Sequence, residues 1–317
     1  MAQHFLLSAK ARTLSLKAVF RMGEDAAYQA FCEMRWPETE GEAVCPQCGC
    51  TEHYNISSRR KFKCVACHHQ FSVTSGTIFA SRKLSFTDLL AAIAIFVNGA
   101  KGISALQASR DLDVQYKTAF VLFHKLREAM AREFAATQLN GIVEIDGGYF
   151  GGYSKPENKK ADRKDRRLVA NLTGKRMCVV VMRERKGRSL PFVVANEGDA
   201  TPYVREHVGT LATIHADEGS GWDALHAGWD TYRVNHSVQF MDKGVCTNQA
   251  ESYFSRLRRM EIGTHHHIAG PYLNSYAAEA CWREDTRRVD NGSQAMTLAA
   301  AAMEAPVSRS WKGYWQR

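Results

Sequence analysis

The sequence lacks any long hydrophobic segment. No run of about 18 consecutive apolar residues occurs in its 317 residues, so we expect no transmembrane helix. Residues 1–17 contain a few apolar side chains but no apolar core followed by a small-residue cleavage site, so they do not resemble a secretory signal. With 45% hydrophobic and 24% charged residues, the composition is globular, which excludes a largely disordered, collagen-like or coiled-coil chain.

The sequence also lacks the pattern of a disulfide framework, because its nine cysteines are odd in number and follow no signal peptide. Four of them form two pairs, Cys45-Pro-Gln-Cys48 and Cys64-Val-Ala-Cys67, with fifteen residues between the pairs. This spacing predicts a Zn²⁺ site in which all four positions are protein ligands, so the metal is structural. Residues 54–56 and 61–63 read as two short strands, which completes a zinc ribbon. Cys50 is an alternative ligand, but it has no partner at a matching spacing.

Helical patterns lie on both sides of the ribbon. Residues 25–36 precede it, and Ser85 caps an apolar run over 86–97 that follows it. A short helix over 103–112, a turn and a longer helix over 115–134 then match a helix-turn-helix. In that interpretation Gln115 and Lys117 open the recognition helix and face bases or phosphates. A plain helical bundle is the alternative.

The pattern changes to strands from about residue 141. Five apolar runs predict strands over 142–146, 177–182, 190–195, 212–217 and 231–235. Helices are predicted over 201–211, 223–228, 247–260 and 271–288. This order indicates an α/β domain with a mixed sheet flanked by helices. We therefore divide the chain into a helical segment (1–42), the zinc ribbon (43–80), the helix-turn-helix region (81–138), the sheet domain (139–290) and a C-terminal tail (291–317).

Two aspartates stand where predicted strands end. Asp146 and Asp217 each follow an apolar run, and an acid at such a position is costly unless it is paired or binds a metal. Glu251 lies in the first turn of the predicted helix over 247–260. Two strand-end aspartates and a helix glutamate can converge on two divalent ions that act on a phosphodiester. Hard carboxylate oxygens favour Mg²⁺. Glu144 shares the face of Asp146 and is a second choice of ligand.

The positive charge is concentrated in one segment. Residues 155–188 hold 13 lysines and arginines against four acids, which equals the formal +9 of the whole chain. Such a segment favours a polyanionic partner, although a solvated loop is the simpler alternative. The predicted DNA contacts from this segment are Lys155, Lys159, Lys160, Arg163, Lys164, Arg166 and Arg167.

Together these motifs resemble the insertion-sequence transposases of the ISXO-like group. The resemblance is carried by the two cysteine pairs and by segments 71–79, 144–152 (Glu-Ile-Asp-Gly-Gly-Tyr-Phe-Gly-Gly), 215–217, 247–258, 263–267 and 276–288. It spans roughly residues 25–290. It implies an amino-terminal zinc ribbon followed by an RNase-H-like DDE core. It also implies cut-and-join chemistry, in which water cleaves the transposon end and the freed 3′-OH attacks target DNA.

The resemblance assigns Asp146 and Asp217 as the first two ligands of Mg²⁺, with Mn²⁺ as a substitute. Many relatives have asparagine in third place, followed by a basic residue. Here Asn248 and Glu251 lie one helical turn apart, and we favour Glu251 because of its charge. Arg258 or Arg259 fills the basic position, where it faces phosphate or developing charge, and we take Arg258 as the candidate.

Two other functions compete with a transposase. One is a zinc-ribbon and helix-turn-helix regulator without catalysis, and the other is a metal-dependent DNA nuclease that never joins strands. The complete acid set disfavours the regulator, whereas the sequence does not separate joining from cutting. The expected partners are transposon ends and target DNA, with a homodimer or larger assembly in synapsis and no membrane. The expected location is the prokaryotic cytoplasm, at the nucleoid.

Overall fold

The chain is described by a computed structural model that covers residues 4–151, 157–164, 176–234 and 244–316. Its contacts divide it into two compact units. The first unit comprises Met1–Arg132 and Thr286–Arg317, and the second comprises Glu133–Asp285. No helix among the described residues combines the length and apolarity needed to cross a bilayer.

The zinc ribbon of the first unit is a small antiparallel sheet of three strands. Its strands are β1 (His53–Ile56), β2 (Lys61–Cys64) and β3 (Gln70–Phe71), in the order β1-β2-β3. The core beneath them is aromatic: the ring of Phe62 lies 5.8 Å from that of Trp36 and 5.4 Å from that of Phe71, centroid to centroid. A sheet this small buries little surface, so these rings and a metal are needed to hold it.

Five helices make up the rest of the first unit. They are α1 (Leu16–Arg35), α2 (Phe86–Asn98), α3 (Ala105–Asp111), α4 (Tyr116–Arg132) and α8 (Asn291–Glu304). The predicted cap of α2 is confirmed, because the Ser85 side chain accepts a hydrogen bond from the backbone N–H of Asp88 at 2.9 Å. α2 is apolar on all sides because α1 and α8 both pack against it.

The segment 291–317, which the sequence sets apart as a tail, lies within this unit. α8 packs against α1, α2 and α4, and the Trp311 ring that follows it stacks on the His124 ring of α4 at 4.2 Å. The C-terminal segment therefore covers one side of the predicted recognition helix.

The second unit is built on a mixed sheet of five strands. They are β4 (Ile142–Gly151), β5 (Arg176–Glu184), β6 (Ser189–Val194), β7 (Thr213–Asp217) and β8 (Asp230–Val234). Their order is β6-β5-β4-β7-β8, with antiparallel pairing from β4 to β6 and parallel pairing of β4, β7 and β8. α5 (Thr201–His207), α6 (Asn248–Met260) and α7 (Gly270–Asp285) accompany it. The predicted α/β class, a mixed sheet flanked by helices, is confirmed.

Some element boundaries differ from the sequence prediction. β4 continues to Gly151, since Gly147 and Gly148 pair with β5 as regular strand residues. The helix predicted to reach residue 211 ends at His207, and the segment predicted as a short helix is a 3₁₀ helix over Ser220–Ala227.

A buried carboxylate ties two of these helices to the sheet. Glu284 of α7 is 2% exposed and lies 2.8 Å from Arg256 of α6 and 3.5 Å from Arg183 of β5. If one member of this group is removed, its partners remain buried without a counter-charge, which is unfavourable. The group therefore holds α6 in position against α7 and β5.

Candidate catalytic and metal sites

The four predicted zinc ligands come together in the ribbon. The ligand sulfurs of Cys45, Cys48, Cys64 and Cys67 all lie within 4.8 Å of one another. The backbone N–H of Cys67 points at the Cys64 sulfur at 3.5 Å, a contact that favours a thiolate at that position. Four sulfurs in a tetrahedral spacing are the donor set of a structural Zn²⁺.

Cys50 lies outside this cluster. Its sulfur contacts the backbone oxygen of Glu52 at 3.7 Å, and its own carbonyl accepts the Cys45 N–H at 2.9 Å. Cys50 therefore shapes the first knuckle through its backbone, and the choice of the four paired cysteines agrees with the structure.

The two strand-end aspartates occupy neighbouring positions in the sheet. Ile145 pairs with Ala216 in the parallel ladder of β4 and β7, so Asp146 and Asp217 are the next residues along each strand. Adjacent strands lie about 4.8 Å apart, and residues in register point to the same face. Each carboxylate accepts one local backbone N–H: Gly147 donates to Asp146 at 2.8 Å, and Gly219 donates to Asp217 at 3.0 Å.

Negative charge surrounds Asp146. Burial is the main cause that raises the pKa of Asp146, which reaches about 7 with all causes together. The Gly147 hydrogen bond opposes this rise, and the charges of Asp217, Glu197 and Glu251, in decreasing order, contribute to it. Glu251 is thus within electrostatic reach of Asp146. Among the described residues only the four cysteines place three or more ligand atoms within 4.8 Å of one another, so the carboxylates are spread more widely than the ligands of one closed site. Hard oxygens with unbalanced negative charge are a donor set that fits Mg²⁺.

The structure places Asn248 and Glu251 on the first turn of α6. Both side chains are exposed, whereas Asp146 and Asp217 are half-buried. Arg258 lies two turns after Glu251 on the same face, about 10 Å along the helix axis. Its guanidinium lies 5.9 Å from the centroid of the Phe254 ring.

Glu144 anchors α6 to the sheet. Its carboxylate is fully buried and accepts the N–H groups of Gln249 at 2.7 Å and Ala250 at 3.3 Å. It also accepts two bonds from Arg185, at 3.0 and 3.1 Å, and Arg185 in turn lies 3.2 Å from Nδ1 of His215. Glu144 therefore satisfies the N-terminus of the helix that carries Glu251, and it has no oxygen to spare for a metal.

Sequence reasoning missed a fourth acid at this edge. Glu197 begins a 3₁₀ helix after β6, and its carboxylate lies against the backbone of Gly147. Since β6 runs in the same direction as β4, its C-terminal end lies at the same edge as Asp217. The sequence does contain a signal for Glu197, because it is an acid that follows an apolar strand. Placing it near Asp217, however, requires the order of the strands in the sheet, which the sequence does not show.

The predicted DNA contacts fall in several places. Gln115 and Lys117 are exposed at the start of α4, and Nζ of Lys117 lies 5.1 Å from the centroid of the Trp315 ring. Of the contacts predicted in the basic segment, Lys159, Lys160, Arg163 and Lys164 are described, and all four are exposed. Lys155, Arg166 and Arg167 lie outside the described residues.

Comparison with known proteins finds two family matches. Residues 138–285 match the ISXO2-like transposase domain, and residues 22–70 match the transposase zinc-ribbon domain. These matches confirm the resemblance seen in the sequence. No curated protein sequence matches the chain at a significant level.

Two solved structures show a weak likeness to the chain. One is the crystal structure of the Mos1 Strand Transfer Complex, with 10% identity over 68% of this chain and 78% of that one, at a TM-score of 0.24. The other is a pre-cleavage Mos1 transpososome, with 9% identity over 67% and 78%, at a TM-score of 0.22. At these TM-scores the two structures add nothing to the assignment.

Proposed function

We propose that this chain, an insertion-sequence transposase with an ISXO2-like catalytic domain, cleaves and joins DNA at the sheet edge that carries Asp146 and Asp217. The observation that carries the proposal is the position of these two aspartates, each one residue beyond the paired Ile145 and Ala216 of neighbouring parallel strands. The acid of α6 is close enough to perturb Asp146. Such an arrangement is costly in a folded protein unless a cation neutralises it.

The proposed chemistry has two balanced steps. Water attacks the phosphorus at the transposon end, the bond from phosphorus to the 3′-oxygen breaks, and a 3′-OH and a 5′-phosphate result. The 3′-oxygen then attacks a target phosphorus, and the target 3′-oxygen leaves. When bound, two Mg²⁺ ions polarise the phosphodiester, activate the attacking oxygen and stabilise the leaving one.

The side chains have separate roles in this proposal. Asp146 and Asp217 would hold the ions from the sheet, and Glu251 would hold them from α6, with Asn248 as a ligand or positioning group. Glu144 keeps α6 at the distance that this requires, through its bonds to the first N–H groups of the helix. Arg258 faces phosphate, since its exposed guanidinium lies on the same side of α6 as Glu251.

Cleavage of a labelled transposon end in Mg²⁺ tests the two aspartates. We expect Asp146→Asn and Asp217→Asn to abolish cleavage while the affinity for the end is retained, because neither change removes a positive charge. Glu218→Gln is a matched control, since Glu218 is an exposed acid next to Asp217. Full cleavage by either aspartate variant would contradict the assignment.

The third position needs its own comparison. We expect Glu251→Gln to lose cleavage and Asn248→Ala to retain part of it. If Asn248→Ala alone abolishes cleavage, Asn248 is the third ligand. Joined products in the same assay separate a transposase from a nuclease, and end binding without any cleavage would favour a regulator.

We further propose that the basic residues predicted as contacts at 155–167 bind DNA, since Arg183 and Arg185 later in the segment pair with Glu284 and Glu144. We also propose that two copies of the chain pair two transposon ends. The four described cations at 159–164 are all exposed, as phosphate contacts must be. The mass of the complex formed with a transposon-end duplex tests the pairing of two ends by two chains. A complex of one chain with one end would contradict this pairing. The proposed place of action is DNA in the prokaryotic cytoplasm, at the nucleoid.

A further inference from the structure

We infer that a cavity beside the start of α4 binds one unpaired nucleotide of a DNA strand, with its base on the Trp315 ring and its phosphate on the surrounding cations. The inference rests on the proposed function, because that function brings DNA with cut strand ends to this chain. It concerns a separate site, since every residue that lines the cavity belongs to the first compact unit.

The cavity is large enough for a small organic ligand. Its volume is about 460 Å³, and ligand sites typically have about 300–1,000 Å³. Its walls come mainly from the loop 79–84 that precedes α2, from one face of α4 and from the segment 311–315. The wall residues of α4 have the spacing of a single helical face. They are Lys117, Thr118, Val121, Leu122 and Lys125.

The lining of the cavity is positively charged. It has no acidic side chain among the described residues, and its five cationic ones are Arg82, Lys83, Lys117, Lys125 and Lys312. Burial lowers the pKa of the half-buried Lys125 ammonium, against the opposing charge of Glu128. An enclosed space with unbalanced positive charge attracts an anion, and a phosphate group fits this requirement.

Arg82 supplies a hydrogen-bond donor that lacks a protein partner. Its Nη1 donates to the carbonyl oxygen of Leu84, and its guanidinium carbon lies 3.4 Å from the centroid of the Phe86 ring. Its Nε is buried and has no hydrogen-bond partner within the described part of the chain. A buried donor without an acceptor is unfavourable. Because Arg82 lines the cavity, a bound phosphate is a source of that acceptor.

The lining also presents an exposed aromatic ring. The Trp315 side chain is 46% exposed, and its ring crosses those of Phe120 and Tyr314 at 63° and 87°. Neither of these rings therefore lies flat against the indole. Nζ of Lys117 lies 5.1 Å from the centroid of the Trp315 ring. A base that stacks on Trp315 thus has a cation beside it for its phosphate.

An unpaired nucleotide fits this combination better than a base pair or a peptide. Bases inside a duplex already stack on both faces, whereas proteins that bind single strands combine cations for the backbone with aromatic rings for the bases. The cost of unpairing is lowest for a nucleotide that is already single-stranded, and the proposed cleavage creates strand ends. An acidic peptide would meet the cations but would leave the indole face unused.

DNA binding by the full chain tests the inference. Fluorescence anisotropy compares a blunt duplex, the same duplex with a short thymidine overhang, and the same duplex with an abasic overhang. We expect the thymidine overhang to bind about 10-fold more tightly than the blunt end, an effect within the range of stacking one base on an aromatic ring. The abasic overhang is expected to give a smaller gain, because it offers phosphates without bases.

Replacing Trp315 tests the stacking surface. We expect Trp315→Ala to bind thymidine and abasic overhangs equally while its affinity for the blunt duplex stays at the wild-type value. Phe20→Ala is the matched control, because Phe20 is 54% exposed on α1 and does not line the cavity. Trp315→Phe keeps a smaller ring and is expected to retain part of the preference. If Trp315→Ala lowers the melting temperature and weakens all three DNAs alike, the ring is structural and the inference is overturned.

Replacing Lys125 tests the phosphate contact. We expect Lys125→Gln to weaken both overhangs alike, and to lower the slope of log affinity against log salt by about 0.7, the value for one single-strand phosphate. Lys17→Gln is the matched control, since Lys17 is an exposed cation of α1 outside the cavity. An unchanged salt slope for Lys125→Gln would contradict a phosphate in the cavity.

The outcomes separate the inference from the proposed function. If wild type binds blunt and overhang duplexes equally, or if Trp315→Ala keeps the preference for thymidine, the cavity does not bind a base and the proposed function stands. If poly-glutamate displaces the labelled thymidine overhang as readily as the unlabelled overhang does, the cavity selects charge alone and the inference is also wrong. If the chain binds none of the three DNAs at low salt, the proposed function fails and the inference fails with it.

Discussion

Replacing Glu144 by glutamine tests how α6, which carries the proposed third metal ligand, is held in place. Glu144 is fully buried, and its carboxylate accepts two bonds from Arg185 and one each from the N–H groups of Gln249 and Ala250. Glutamine has nearly the same shape but no charge, and its NH₂ group cannot accept. The variant therefore leaves the Arg185 guanidinium, whose side chain is only 24% exposed, without its counter-charge.

The expected cost follows from these contacts. Removing one partner of a buried ion pair costs about 3–5 kcal/mol, and the remaining exposure of Arg185 favours the lower end, about 3 kcal/mol. For a unit of the size of Glu133–Asp285, this corresponds to a fall of roughly 6–12 °C in the melting temperature of that unit. Glu133→Gln is the matched control, since Glu133 pairs with Arg188 at 2.9 Å at the surface. Its expected cost is about 0–1 kcal/mol.

Two measurements check the result. Urea unfolding in EDTA compares the free energies of the two variants, and hydrogen exchange reports on the start of α6. We expect the amides of Gln249 and Ala250 to lose protection in Glu144→Gln and to keep it in Glu133→Gln. Equal costs for the two variants, or unchanged protection in both, would refute the role of Glu144 as the anchor of α6.

Three further predictions follow from the zinc cluster, the acid cluster and the basic segment. Zinc removal, or Cys48→Ser, is expected to unfold the ribbon and weaken DNA binding, whereas Cys50→Ser is expected to leave both unchanged. Circular dichroism measures the folding of the ribbon, and an end-binding assay measures DNA affinity. Unchanged binding after chelation would argue against a DNA-reading ribbon. The raised pKa of Asp146, about 7 against an ordinary 3.8, means that its contribution to stability is complete below about pH 4 and is lost as the pH rises to 7. In EDTA, Asp146→Asn should therefore be more stable than wild type at pH 8 and less pH-dependent from pH 4 to 7 in thermal melts; an unchanged pH profile would contradict the burial of this carboxyl. DNA binding is expected to weaken steeply with salt, and each phosphate contact removed from 155–167 should lower the slope of log affinity against log salt by about 0.9; a salt-insensitive complex would show that the segment is only a solvated loop.

The parts of the site that depend on local sequence were predictable. The zinc ligands follow from the spacing of two cysteine pairs, since each tight knuckle aims two sulfurs at one ion. Asp146 and Asp217 follow from acids that end apolar runs, and the position of Glu251 follows from the helical pattern around it. In each case a few neighbouring residues determine the geometry.

The parts of the site that depend on tertiary arrangement could not be predicted from the sequence. Glu197 is twenty positions from Asp217 and far from Asp146 in sequence, and only the strand order brings the end of β6 to the same edge. Glu144 looked like a second-choice ligand, because alternation in a strand correctly predicts that it shares a face with Asp146. Its actual partners are the Arg185 guanidinium and the first backbone N–H groups of α6. Pairings between such distant residues leave no local pattern in the sequence.

β4 shows why the acid and the two glycines stand in consecutive positions. Asp146 and Gly148 face α6, where the absence of a side chain at Gly148 lets the Phe254 ring approach the strand. Gly147 faces the other side, where the same absence admits Glu197. A shift of one residue would turn Asp146 away from α6 and place its carboxylate among the groups that now surround Gly147. Both glycines are regular strand residues paired with β5, so their role is to allow close approach on each face rather than to make a turn. The spacing of acid and glycines along this strand thus determines both how near α6 lies to Asp146 and whether a further carboxylate fits beside it.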